Sequence, residues 1–184
     1  MNKLKMLFRR HLYAAVIGLL FCGVTVQAQV TREQTIDKVR SALVKLPYYS
    51  VYDHLAYKLE GRTVTLMGAV TRPTLKKDAE AVVGDVKGVE EVVNNIKVLP
   101  LSSADDQIRR AVYRAVYSRG GLEKYALGAN PSIHIIVENG NVTLEGVVAN
   151  ETDKNLAGIQ ARGVGGTFTF KNNLRVESES SNAE

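Results

Sequence analysis

A chain of 184 residues with a formal net charge of +5 and a single cysteine can form one ordinary domain or two small ones. Much of the charge sits at the amino terminus, where Lys3, Lys5, Arg9 and Arg10 precede an almost wholly apolar run over residues 12–26 and Val26-Gln27-Ala28 offers small residues to a signal peptidase. Residues 1–28 are therefore predicted to be a secretory signal peptide, and its removal takes four basic residues and no acidic one, lowering +5 to +1. The remainder excludes a general basic field of the kind that holds nucleic acid and, with Cys22 gone, excludes disulfides and thiol chemistry.

The apolar run is short for a membrane span, which needs about 20 residues, so cleavage before Gln29 is expected, with an uncleaved anchor as the alternative. Phe21 stands where a lipoprotein signal wants a small residue before its cysteine, so Cys22 is not expected to carry lipid. The expected location is periplasmic or secreted.

Thr31 and Gln34 make a capping box, and Ile36, Val39, Leu43 and Leu46 form one helical stripe that stops at Pro47. Val64-Thr65-Leu66 leads into Gly68 and Val70 as a strand. Leu75, Ala79, Val82 and Val86 restore the helical period, and Val92, Ile96 and Val98 read as a closing strand. A second helix start is offered by Ser103 and Asp106, with Ile108, Ala111, Val112 and Ala115 on one face before Gly120-Gly121. Ile133, Ile135 and Val137 then alternate, Asn139-Gly140 makes a hairpin turn, and Val142, Leu144 and Val148 return on the same face.

These elements repeat. At a constant offset of 78 residues Val64-Thr65-Leu66 aligns with Val142-Thr143-Leu144, Gly68 with Gly146, Gly88 with Gly166, and Asn94-Asn95 with Asn172-Asn173. The reading is an α+β chain of two tandem two-layer domains, each helix-strand-strand-helix-strand: residues 29–99 and 105–176, a linker over 100–104 and a disordered acidic tail over 177–184. Gly68, Gly88, Gly146 and Gly166 are read as structural, with Gly68 and Gly146 ending a strand where they permit close helix approach or an unusual φ. In the second copy Gly158 and Gly163 interrupt the later helix and Gln160 replaces Val82 on its core stripe, so that helix is expected to be the weaker.

The ingredients of catalysis are missing. His54 and His134 lack partners at metal-ligand spacing, and His134 is expected to face solvent or the domain interface. Ser50, Asp53 and His54 are too close in sequence for a hydrolase triad, and Gly163-Val164-Gly165-Gly166 lacks the lysine-serine end of a phosphate loop. No enzyme, no metal and no cofactor are expected, and two asparagine-x-threonine sequons read as chance matches.

The pattern V-T-L-x-G-x-V, an alanine-bearing helix, then V-x-G-V-x-x-V-x-N-N-I-x-V over residues 62–98 resembles the BON domain. The second copy keeps the hairpin, Gly146, Gly166 and Asn172-Asn173-Leu174, departing at Thr167 where the first has Val89. A signal peptide followed by two such domains is similar to the tandem BON-domain periplasmic proteins, osmotically inducible ones among them, and to their outer-membrane lipoprotein relatives. The resemblance implies a non-enzymatic envelope protein that binds phospholipid surfaces and supports envelope integrity or osmotic stress tolerance. The alternative is a protein-interaction or chaperone-like module docking onto other envelope proteins.

The predicted lipid contact is the first helix of the second copy, residues 105–118. Opposite its aliphatic stripe Arg110, Tyr113, Arg114 and Tyr117 fall within about 100° of the helical wheel, a pairing suited to an anionic phospholipid membrane surface. Arg119, Lys124 and Tyr125 extend the patch, whereas the corresponding first-copy positions are read as Lys38, Ser41, Ala42 and Lys45, without an aromatic residue. The other reading of the same residues packs the tyrosines against the first domain and leaves the arginines solvated.

Overall fold

The computed structural model describes residues 31–118, 121–128 and 130–177. The predicted signal peptide, Cys22, Arg119 and residues 178–184 of the predicted tail lie outside them. Two units follow one another. The first is α1 (Arg32–Val44), β1 (His54–Glu60), β2 (Thr63–Val70), α2 (Pro73–Gly84), β3 (Glu91–Asn94) and β4 (Lys97–Val98). The second is α3 (Ser103–Tyr117), a 3-10 turn (Glu123–Ala126), β5 (Ile133–Glu138), β6 (Asn141–Val148), α4 (Glu151–Arg162), β7 (Thr169–Asn172) and β8 (Arg175–Val176).

Each unit is one mixed sheet with two helices on a single face. β2 is central, antiparallel to β1 and parallel to β3 and β4, and β6 repeats this with β5, β7 and β8. The registers are equivalent: Val64 lies against Val92, and Val142 against Phe170. β2 and β6 belong to separate sheets, as a tandem repeat requires. The capping box of Thr31 and Gln34 forms, whereas α3 is capped one residue earlier than its sequence suggests, by Ser102. Asn139 and Gly140 both take positive φ, as a tight hairpin turn with the right twist demands.

Several expectations need correction. The closing strand of each copy is two short strands, because the side-chain oxygen of Asn94 accepts the Ile96 N–H and that of Asn172 accepts the Leu174 N–H, turning the chain locally. Gly68 and Gly146 lie inside β2 and β6, not at their ends. Their φ angles are +110° and +121°, and a Cβ would collide with the carbonyl oxygen of His54 on β1 or of Ser132 just before β5, so the close approach is to the adjacent strand's chain. Gly88 and Gly166 also have positive φ. On the later helices the buried stripe is Leu75, Ala79 and Val83, matched by Ala157 and Ala161, so Val82 and Gln160 sit at its margin. α4 runs unbroken through Gly158.

Burial also revises the alignment of the first helices. Val39 and Leu43 are buried as Val112 and Val116 are, so Arg110 and Arg114 correspond to Asp37 and Ser41 rather than to Lys38 and Ala42.

The two units share one junction. The loop before β1 crosses to the second domain, where Val51 joins the core of Val112, Val116, Ile133 and Ile135. The Ile135 N–H donates to the Val51 carbonyl at 2.7 Å, and the edge strands β1 and β5 of the two sheets approach each other there. Asn130 donates to Val44 O at 2.6 Å, and Lys97 pairs with Glu138 at 2.7 Å. Asp53, wholly buried, staples the loop: its carboxylate accepts from the Ser50 N–H and hydroxyl and from the Thr71 N–H and hydroxyl, at 2.6 to 3.0 Å.

Candidate functional site

α3 carries most of the predicted site, and its sequence explains how it is held. Ile108, Val112 and Val116 bury one stripe. Asp105, 1% exposed, accepts the N–H groups of Asn139 and Gly140 at 2.9 and 2.8 Å, tying the helix start to the β5–β6 turn. Arg109, 4% exposed, donates to Asp106 and to the Val137 carbonyl, both at 2.6 Å. Neither buried charge was singled out from sequence, although a charge on an apolar stripe is the signal that finds one.

Arg110 and Arg114 are exposed on the outer face, and neither has an ion-pair partner among the described residues. They flank Ala111, and with Gln107 and the backbone of Gly165-Gly166 they wall a groove of about 560 Å³. The loop of small residues lets this groove stay open. In the first domain the corresponding Asp37 and Ser41 offer no such pair of cations.

The tyrosines are placed otherwise. Tyr117 is 5% exposed and donates its hydroxyl to the Ile133 carbonyl, and burial pushes its pKa up. It is a core residue, because α3 buries a second face under the loop carrying Val51 and Tyr52. Tyr113 is half-buried in an aromatic stack, 4.9 Å from the Tyr117 ring and 6.3 Å from that of Tyr52 in the other domain. So the structure unites Arg110 with Arg114 on the surface and assigns Tyr113 and Tyr117 to the junction. Lys124 pairs with Asp153 at 2.7 Å, which raises its pKa, and Tyr125 donates to the same carboxylate while accepting the Ala149 N–H. These two residues fasten the 3-10 turn to the start of α4, away from the α3 groove.

His134 is also at the junction. Its ring lies 5.5 Å from Tyr49 and 5.7 Å from His54, it is 8% exposed, and burial together with the neighbouring His54 pushes its pKa down to about 4. Burial lowers the His54 pKa as well. Ser50 donates to Asp53 and the His54 Nδ1 has no partner, so no relay joins the three. Among the described residues no group of three or more metal-ligating side chains is assembled, and no helix is long and apolar enough to cross a membrane.

Two copies of a small α+β module, each a four-stranded mixed sheet with helices on one face, define a tandem-domain protein. The BON domain family model matches twice, over residues 31–100 and 104–178, and the chain belongs to that family. BON domains are non-catalytic binding modules associated with membranes and phospholipid. Among solved structures, the C-terminal domain of CdsD, a structural protein of the type III secretion system of Chlamydia trachomatis, is similar at 11% identity, covering 80% of this chain and 99% of its own, with a TM-score of 0.32. A second CdsD structure has 12% identity, covers 80% of this chain and 95% of its own, and has a TM-score of 0.31. No curated protein matches.

Proposed function

We propose that this is a non-enzymatic envelope protein that associates reversibly with anionic phospholipid surfaces, supporting envelope integrity, through the outer face of α3. The observation that carries the reading is the pair of exposed, unpaired arginines, Arg110 and Arg114, one turn apart beside the open backbone of Gly165-Gly166. Guanidinium groups pair with phosphate in two-pronged geometry, and each basic residue near an anionic surface contributes roughly 1 kcal/mol. Two of them give weak, salt-sensitive binding.

The test is co-sedimentation with vesicles across lipid composition and salt. Binding to phosphatidylglycerol vesicles that fades as salt rises, with none to phosphatidylcholine, supports the reading. Salt-independent binding, or none to either lipid, contradicts it and favours docking onto another envelope protein. The envelope location has its own check: the protein's first residue is expected to be Gln29, and recovery of Met1 or of lipid on Cys22 contradicts it.

A further inference from the structure

Where the domains meet, a cleft of about 570 Å³ opens between the loop before β1, the start of α2 and the start of α3. Its charged lining is Arg72 from the first domain with Asp106, Arg109 and Arg110 from the second. The Asp106 carboxylate is taken by Arg109, leaving Arg72 and Arg110 exposed and, among the described residues, without an ion-pair partner. Arg109 is 4% exposed, yet its Nε–H has no partner, and a buried donor left open calls for an explanation. The Arg72 guanidinium lies over the Tyr48 ring, 4.8 Å from its centroid. Tyr48 itself is held at φ +65°, a conformation that bulky residues avoid and that structures retain at working sites. Arg72 is the residue that caps the start of α2, and no side chain bonds the first-turn N–H groups, whose partial positive charge adds to that of the arginines.

We propose that this interdomain cleft binds the phosphate monoester of a small soluble molecule, with the phosphate held between Arg72 and Arg110 and the body of the molecule against Tyr48 and Tyr52. The charge selects the class. Two uncompensated guanidinium groups match a monoester, which carries about −1.5 to −2 near neutral pH, better than the single charge of a phospholipid diester. The volume falls within the 300–1,000 Å³ or so typical of small-molecule sites and far exceeds bare phosphate. The field reaches Tyr52: burial raises its pKa, while Arg110 and Arg109 draw it back. Because the two arginines belong to different domains, the ligand also clamps the junction. The cleft shares Arg110 with the α3 groove, but Arg72 lies outside that groove and Arg114 outside the cleft, so variants of those two residues separate this proposal from the membrane reading.

Isothermal titration of the purified protein with inorganic phosphate, ribose 5-phosphate and ribose tests it. Ribose 5-phosphate is expected to bind more tightly than inorganic phosphate, and ribose not at all. Arg72→Gln and Arg110→Gln are each expected to weaken binding at least about tenfold, the loss of one two-pronged charged contact, and Arg114→Gln to leave it unchanged. Arg72→Lys, which keeps the charge, controls for folding and is expected to bind more tightly than Arg72→Gln. No binding of either phosphate at millimolar concentration overturns the proposal, as does wild-type affinity in Arg72→Gln. Loss of phosphatidylglycerol vesicle binding in Arg72→Gln overturns it too, by assigning the cleft to lipid head groups.

Discussion

Gly68 and Gly146 show how one residue type can be demanded twice for one reason. Each sits in mid-strand at positive φ with a carbonyl oxygen of the neighbouring strand where a side chain would begin. Valine at either position is expected to destabilise its own domain by about 1–3 kcal/mol, because both the backbone angle and the neighbouring strand must give. Urea denaturation followed by domain-resolved amide signals checks this, and wild-type stability in either variant contradicts the close approach. Asp105 makes a comparable case for a polar group. Asparagine there keeps the shape but presents an N–H₂ to one of the two backbone donors it must satisfy, so Asp105→Asn is expected to cost the second domain about 1–3 kcal/mol.

Among the elements, the pair of edge strands with their facing histidines gives the fold a pH dependence. Unfolded, His134 takes up a proton near pH 6.5. Folded, it does so only near pH 4, because burial and then His54 on β1 oppose the proton more than Ser50 and Asp53 favour it. Above pH 6.5 the ring is neutral in both states and contributes nothing. As pH falls from 6.5 to 4 the unfolded chain binds more protons, so stability is expected to drop at up to about 1.4 kcal/mol per pH unit. The urea midpoint measured against pH shows the slope, and His134→Phe is expected to flatten it. An unchanged slope in that variant contradicts the assignment to His134. These contacts also mark where sequence stops being informative. The Asn139-Gly140 hairpin, the capping box and the repeated strand are local patterns, legible because period and turn chemistry determine them. The α3 wheel was legible on its aliphatic side only. Whether Tyr113 and Tyr117 face solvent depends on Val51 and Tyr52, some sixty residues away, and no periodicity records that loop crossing. Arg110 and Arg114 are exposed, as expected, because none of the described residues covers that face.

At the scale of the whole molecule, two thin cores meet at one junction, where the second core borrows Val51 from the first domain's loop. Val51→Asp puts a charge into the second domain's core and is expected to undock the domains while each keeps its secondary structure, seen as a larger radius of gyration in X-ray scattering. Unchanged compactness contradicts the docking role of the loop. In the membrane reading docking matters because it turns Tyr113 and Tyr117 inward and leaves a cationic rather than aromatic face. The most direct measurement of that face is co-sedimentation with phosphatidylglycerol vesicles at low salt, comparing wild type, Arg110→Glu/Arg114→Glu and Lys38→Glu/Lys45→Glu. The membrane reading predicts that the α3 variant loses binding with its melting curve intact, while the α1 variant binds much as wild type does. Equal loss in the two variants, or full binding by the α3 variant, contradicts it.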